Sequence, residues 1–471
     1  MLKETQIEQD SAALDQFLAA NPRSLQLHEA AKQVLPDGVT HSSRRGDPTS
    51  VYMDHAAGAY KYDVDGHRYI DYWMGHGSLL FGHANPVIAQ AAIEQIGRGT
   101  HFGANHPGEV RWAELICHLI PSAQKVRFFS SGTEATMMAL RLARAATGKQ
   151  KIIKFGLRFH GWHDYNAVNE TGVAPSGIPQ AVADNVLVLP TDIKAVEQAL
   201  EANPDVAAII LEADGASWGT VPNPPGFLAA LRQLTSEKQV ILIFDEIVSG
   251  FRYGPGGIQK LEGVTPDLTC LAKIVAGGFP GGAVAGRADL MDLLSIKSGS
   301  RYIVHHGTFN ANPVSAATGV AALSMIAAPD AQERIYDRIG QLATQLKAGF
   351  NNIFNKAGLS GRAFCYGRGA VFHVCFDLES QQPVEWPGDG NIYRPEYMEP
   401  LANPAVQARL KVGIPEPLKT QLRLELDNRG MQLMSGIGGF VSTAHTESDI
   451  EQTIEAFGGA VAALKKNGRI K

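Results

Sequence analysis

A chain of 471 residues with 45% apolar and 19% charged content can bury a large core and is expected to fold as more than one structural region. Its net charge of −5, with basic residues dispersed rather than clustered, speaks against a nucleic-acid partner. The opening Met1–Asp10 carries acids and no apolar signal-like run, and no apolar stretch reaches the ~18 residues of a membrane span. Cys117, Cys270, Cys365 and Cys375 are far apart and form no C-x-x-C pair, which fits reduced thiols and a cytoplasmic protein.

In chain order, residues 1–75 read as an N-terminal segment: a helical start, the polar loop His41–Pro48, then a hairpin turning at Asp65-Gly66. Residues 76–335 form the expected large domain. There, apolar strands at 125–129, 151–155, 186–189, 206–211, 240–244 and 268–272 alternate with helical segments such as 134–146 and 193–202. That alternation predicts an α/β fold, a mostly parallel central sheet flanked by helices. Residues 336–471 read as a smaller α+β C-terminal domain, with a Pro- and Gly-rich insertion from Gln382 to Gly390 and a final helical region ending near Lys466.

Chemistry-bearing residues fall at the strand ends. Ser131-Gly132-Thr133-Glu134 follows one strand and opens a helix, where backbone N–H groups and hydroxyls converge on the positive end of the helix dipole. In isolation these residues read as a helix cap. Phe159-His160-Gly161 follows the next strand and offers an aromatic ring for a flat cofactor. His160 and His163 are spaced H-x-x-H without a third ligand, and His305-His306 is no better, so no metal is expected. Asp245 ends an apolar strand, and a carboxylate desolvated there needs a cation such as a protonated pyridine nitrogen. Lys273 ends another, just before a glycine-rich turn, as a lone amine nucleophile. An amine and an acid partner so placed point to pyridoxal 5′-phosphate.

In this order (phosphate turn, aromatic, Asp, Lys) the chain resembles the class III aminotransferases of the PLP-dependent fold type I. The resemblance is most specific at Ser131–Ala135, Phe244–Ile247 with Gly250-Phe-Arg252, Pro266–Lys273 and Gly307–Pro313. It implies that Lys273 is the Schiff-base lysine, Asp245 the pyridinium partner, Ser131, Gly132 and Thr133 the phosphate cup, and Phe159 the stacking ring, with His160 beside it. Glu212 matches the family's strand-end glutamate, although the usual following proline is Ala213 here. Thr308 would reach the phosphate of a neighbouring subunit, which implies a homodimer with shared sites.

Within the family, the run Leu35–Arg44, the Asp63–Gly66 hairpin and Ser442–Thr446 are similar to the glutamate-1-semialdehyde 2,1-aminomutase branch. Two positions depart from it. The stacking tyrosine is Phe159, and the acidic position before the Gly-Phe near the C-terminus falls on Ile437. A mutase must hold its diamine intermediate until the amino group has moved, so losing a polar contact favours release of a keto product. The expected activity is therefore amino transfer from a β-amino acid or related amine to a 2-oxo acid, with the aminomutase as the alternative. Arg44 is the candidate for the substrate carboxylate, with Arg45 beside it able to take the role. Trp73, Trp162 and Trp218 are candidates to line an apolar pocket.

Overall fold

The computed structural model describes residues 12–46, 49–378 and 384–470. The opening Met1–Asp10, the end of the polar loop at Asp47-Pro48 and the start of the insertion at Gln382-Pro383 lie outside the described residues. An antiparallel meander comes first, β1 (Met53–Ala57), β2 (Tyr60–Asp63) and β3 (Arg68–Asp71). Its second turn falls at Asp65-Gly66 as expected, with Gly66 at φ +94°, a region where a Cβ would be strained.

The centre is a seven-stranded sheet. Its strands are β4 (Lys125–Phe129), β5 (Lys151–Phe155), β6 (Val186–Leu189), β7 (Val206–Glu212), β9 (Ile241–Asp245), β10 (Leu268–Ala272) and β11 (Gly282–Gly286). A two-residue strand, β8 (Val221–Pro222), lies outside the sheet and pairs back onto Gly215 and Ala216. The order is β4-β11-β10-β9-β7-β5-β6, parallel except for β11, which is antiparallel to both neighbours. Strands β7, β9 and β10 are buried along their whole length, which explains their continuous apolar runs. Helices such as Gly132–Thr147, Ile193–Ala202 and Phe227–Glu237 pack on the two faces through separate apolar clusters.

Register decides where the chemistry goes. Glu212 pairs with Asp245 across β7 and β9, and Asp245 pairs with Cys270 on β10. The carboxyl ends of β7 and β9 are therefore level and β10 runs on past them to Ala272, at the crevice where parallel sheets bind ligands.

Beyond the sheet, β12 (Ala363–Tyr366), β13 (Val371–Phe376) and β15 (Gly438–Phe440) form a small antiparallel sheet. Between the last two, β14 (Met431–Gln432) pairs parallel with β3 and ties the first 75 residues to the region beyond 336. Residues 384–390 of the insertion lie among the described residues. Its Trp386, with Ile392 and Tyr393 just beyond it, packs with Phe364 and Tyr366, and the helices Met398–Ala402 and Pro404–Val412 follow. Among the described residues, no helix is long and apolar enough to cross a membrane, no group of His, Cys, Asp and Glu could hold a metal ion, and the four cysteines are free.

Candidate active site

The level strand ends open into a cavity of about 820 Å³ lined by Gly132, Thr133, Phe159, Glu212, Asp245 and Lys273, among others. Six of the residues singled out in the sequence thus meet in one place, although 141 positions separate the first from the last.

Lys273 follows β10 directly and takes φ +53°, a left-handed conformation that only local packing can hold in a non-glycine residue. It turns a partly exposed amine into the cavity. Burial, the largest influence, pushes its pKa down to about 8, with Arg252 adding to the shift and Asp245 and Glu212 opposing it. A larger fraction of the amine is therefore neutral near neutral pH than in an ordinary lysine.

Asp245, buried at the end of β9, accepts the N–H of Ile247 at 3.0 Å and contacts Nδ1 of His160 at 2.8 Å. His160 does not line the cavity. It stands behind Asp245, fully buried, with its carbonyl held by Thr136 Oγ1 and Asn166 Nδ2, both at 2.7 Å.

Glu212 accepts three backbone N–H groups, from Phe159 at 3.0 Å, Ser217 at 2.9 Å and Trp218 at 2.8 Å. It thereby fixes two cavity turns at once, one of which holds Ser217 and Trp218 at positive φ. Arg158 braces the same strand end from behind, donating to the Glu212 carbonyl at 2.7 Å.

At the opposite wall, Ser131 caps the helix Gly132–Thr147, accepting the N–H of Glu134 at 3.3 Å. Its hydroxyl is thus committed to the helix, and it is Ser130, Gly132 and Thr133 that face the cavity. Space there is tight. A Cβ on Gly132 would lie 2.6 Å from Ile247, and one on Gly161, at φ +95°, would lie 2.6 Å from the Thr133 hydroxyl.

These features fit a flat, phosphorylated, aldehyde-bearing cofactor: a helix N-terminus for the phosphate, an anchored carboxylate for a ring nitrogen, and an amine for the carbonyl carbon. Phe159 supplies an aromatic ring that is 65% exposed at the cavity wall.

The family Aminotransferase class-III matches residues 41–359. The chain belongs to the class III aminotransferases. A glutamate-1-semialdehyde 2,1-aminomutase from Methanopyrus kandleri is 36% identical over 454 residues, covering 94% of this chain and 98% of the relative. Among solved structures, an omega-transaminase from Sphaerobacter thermophilus superposes with a TM-score of 0.82 at 33% identity, covering 94% of this chain and 98% of that one. A beta-phenylalanine aminotransferase from Variovorax paradoxus gives 0.79 at 28% identity over 97% and 98%. The fold is thus PLP-dependent fold type I, the chain is a PLP-dependent enzyme of this class, and its cofactor is pyridoxal 5′-phosphate.

Two candidates of this class III aminotransferase lie elsewhere. Arg44 lines an adjoining cavity of about 560 Å³ together with Arg45, and the two cavities share Ser43, His76 and Ser435. Thr308 is exposed on a third concave surface, its carbonyl 2.7 Å from Nε2 of His101. Of the three tryptophans, only Trp218 lines the main cavity. Trp73 faces the Arg44 chamber, and Trp162 is 80% exposed. The sequence reading gave Asp214 no role, yet its buried carboxylate also lines the main cavity. Its one signal was an acid two positions beyond a strand-end glutamate.

Proposed function

We propose that this enzyme moves an amino group from a β-amino acid or related amine to a 2-oxo acid in two half-reactions that both use Lys273. Pyridoxal phosphate, when bound, supplies an electrophilic carbonyl and a sink for the electrons left on the donor carbon. The chain supplies the rest. Asp245, oriented by His160 and the Ile247 N–H, holds the ring nitrogen protonated. The Lys273 amine takes a proton from the donor carbon and returns one on the far side of the transfer. Ser130, Gly132, Thr133 and the helix N-terminus hold the phosphate, and Phe159 covers the ring. Arg44, which lines the adjoining chamber, takes the donor carboxylate.

The observation that carries intermolecular transfer is Ile437. Its side chain packs on the apolar core, 3.5 Å from where a Cβ on Gly413 would sit, so this position offers no polar contact to retain a diamine. The second reading, intramolecular amino transfer as in a 2,1-aminomutase, is favoured by sequence similarity. The aminomutase relative is matched over nearly its full length, and on that ground this reading is the better supported of the two. The exposed apolar side chains Phe102, Val110 and Phe309 near Thr308 support a homodimer with the sites at the interface.

The deciding experiment follows the visible absorbance of the holoenzyme as donors are added without acceptor. Bleaching by a β-amino acid, reversed by a 2-oxo acid, is the expected result. Turnover of a semialdehyde with no acceptor present would instead establish the mutase.

A further inference from the structure

The turn after β7 is held from inside the cavity wall, and its tip is also held from outside. Ser217 and Trp218, both at positive φ, line the cavity, and Glu212 accepts their N–H groups. The start of the turn is fixed separately, since Asp214 accepts the Tyr253 hydroxyl and lies 3.7 Å from Nε of Arg368. The Ser217 hydroxyl reaches across to the turn after β5 and donates to the Leu157 carbonyl at 3.0 Å. Leu157 is a third non-glycine residue in the left-handed region, at φ +64°, two positions before Phe159. Backbone of this kind persists only where its surroundings over-determine it.

Lys411 supplies the outer hold. It lies in the last turn of the helix Pro404–Val412, beyond the insertion, and is not part of the cavity lining. Its Nζ donates to the Leu157 carbonyl at 2.7 Å and to the Ser217 hydroxyl, so one amine joins the two turns that carry Phe159 and Trp218. Bonds from a charged donor are the strong ones. Burial lowers the pKa of Lys411, while the Glu212 and Glu170 carboxylates favour its charged form.

Apolar packing reinforces the hold. Val406 and Leu410 on the buried face of the same helix share one cluster with Ala216 and Val221, which flank the Ser217-Trp218 tip. The helix is thus seated on the outer side of the turn. On the cavity side the Trp218 ring packs on His373 at 4.3 Å and Phe440 at 5.0 Å.

We propose that Lys411 is a positioning residue: it holds Trp218 in the cavity wall from outside, and through Trp218 it sets the binding of donors with a bulky apolar side group. The donor half of this rests on the amino-transfer reading above, and the hold on Trp218 does not.

The hold is read without any donor, by acrylamide quenching of tryptophan emission in the wild type and in Lys411→Met, each with and without Trp218→Phe to isolate that ring. Lys411→Met is expected to make Trp218 about twofold more quenchable, as a loosened turn opens locally. The consequence is read by bleaching of the holoenzyme's visible band with two β-amino acids, 3-amino-3-phenylpropanoic acid and β-alanine, which differ in the phenyl group. In Lys411→Met the half-saturating concentration of the phenyl donor is expected to rise about tenfold at a nearly unchanged limiting rate, with β-alanine unaffected, the mark of lost binding and not of lost chemistry. Lys411→Arg, which still offers a charged donor, is expected to recover most of this loss. In a Trp218→Ala background Lys411→Met is expected to add little, because both changes act on one contact. Unchanged quenching of Trp218 overturns the proposal, and so does an equal shift for both donors or a full further loss on Trp218→Ala. If neither donor bleaches a band that is present, the amino-transfer reading falls and the quenching alone decides for or against Lys411.

Discussion

His160 and Asp245 form a buried pair, Nδ1 to Oδ2 at 2.8 Å, in which the imidazole is wholly shielded from solvent and its Nε2 has no hydrogen-bond partner. The pair orients the carboxylate toward the cavity, and the Thr136 and Asn166 bonds to the His160 carbonyl fix the ring in turn. Asp245→Asn keeps the shape and removes the charge, so the half-reaction is expected to slow by about a hundredfold or more. His160→Phe leaves the charge but loosens its aim, and a smaller loss, about tenfold, is expected. Single-turnover rates at saturating donor separate the two. Equal losses would mean that His160 does more than orient.

The depressed pKa of Lys273 has a kinetic consequence. An amine must be neutral to attack a carbonyl, and burial has already pushed this one to about 8. Reloading of the apoenzyme with pyridoxal phosphate should therefore speed up with rising pH and level off above about 8, not above the ordinary lysine range. Lys273→Ala should lose the visible band of the bound cofactor and all measurable transfer. Stopped-flow reloading across pH 6 to 10 checks the first expectation, since ~2 units on each side of the midpoint are needed to define it. A midpoint above 10 would show that the amine is not held as the structure implies.

Much of this site was legible because its chemistry sits at the ends of apolar strands. A charged residue closing a run such as 240–244 has only one place to go in a parallel sheet, the crevice at the strand ends. Cooperation across the sheet was not legible. Asp214, Tyr253 and Arg368 come from three separate segments, and no spacing in the sequence links them. Strand β11 escaped for another reason. Its sequence, Gly-Ala-Val-Ala-Gly, lacks the branched and aromatic residues that mark strands, because the backbone of Ser131 passes so close that a Cβ on Gly282 would lie 2.4 Å from its carbonyl. Ser131 is legible in part. Its place after β4 can be read from the sequence, whereas the engagement of its hydroxyl by the Glu134 N–H cannot.

Arg44 gives a direct test of the substrate end. It is exposed, and the adjoining chamber that it lines opens to the main cavity past Ser43 and His76. Losing a guanidinium that binds only a carboxylate weakens ground state and transition state alike, which raises KM and leaves kcat little changed. Arg44→Ala is expected to raise KM about tenfold for β-amino acids and to leave simple amines unaffected. If the same shift follows Arg45→Ala and not Arg44→Ala, the neighbouring arginine holds the carboxylate.

Arg252 joins three walls of the site and also tunes the reactive amine. Its guanidinium is buried, donates to the carbonyls of Gly77 and Val248 (the latter at 2.9 Å), and lies 4.3 Å from the ring centre of Phe440. One cation thus ties the turn bearing His76, the segment after β9 and strand β15, which come from distant parts of the chain. Removing it leaves buried carbonyls unpaired at about 1–3 kcal/mol each, so Arg252→Met should lower the thermal midpoint measurably. The same cation disfavours a second positive charge on Lys273. Taking away a like charge favours the protonated amine, so the reloading midpoint should move up from about 8. Thermal loss without that shift would make Arg252 a structural tie alone, whereas both changes together would show that one residue holds the walls and the pKa.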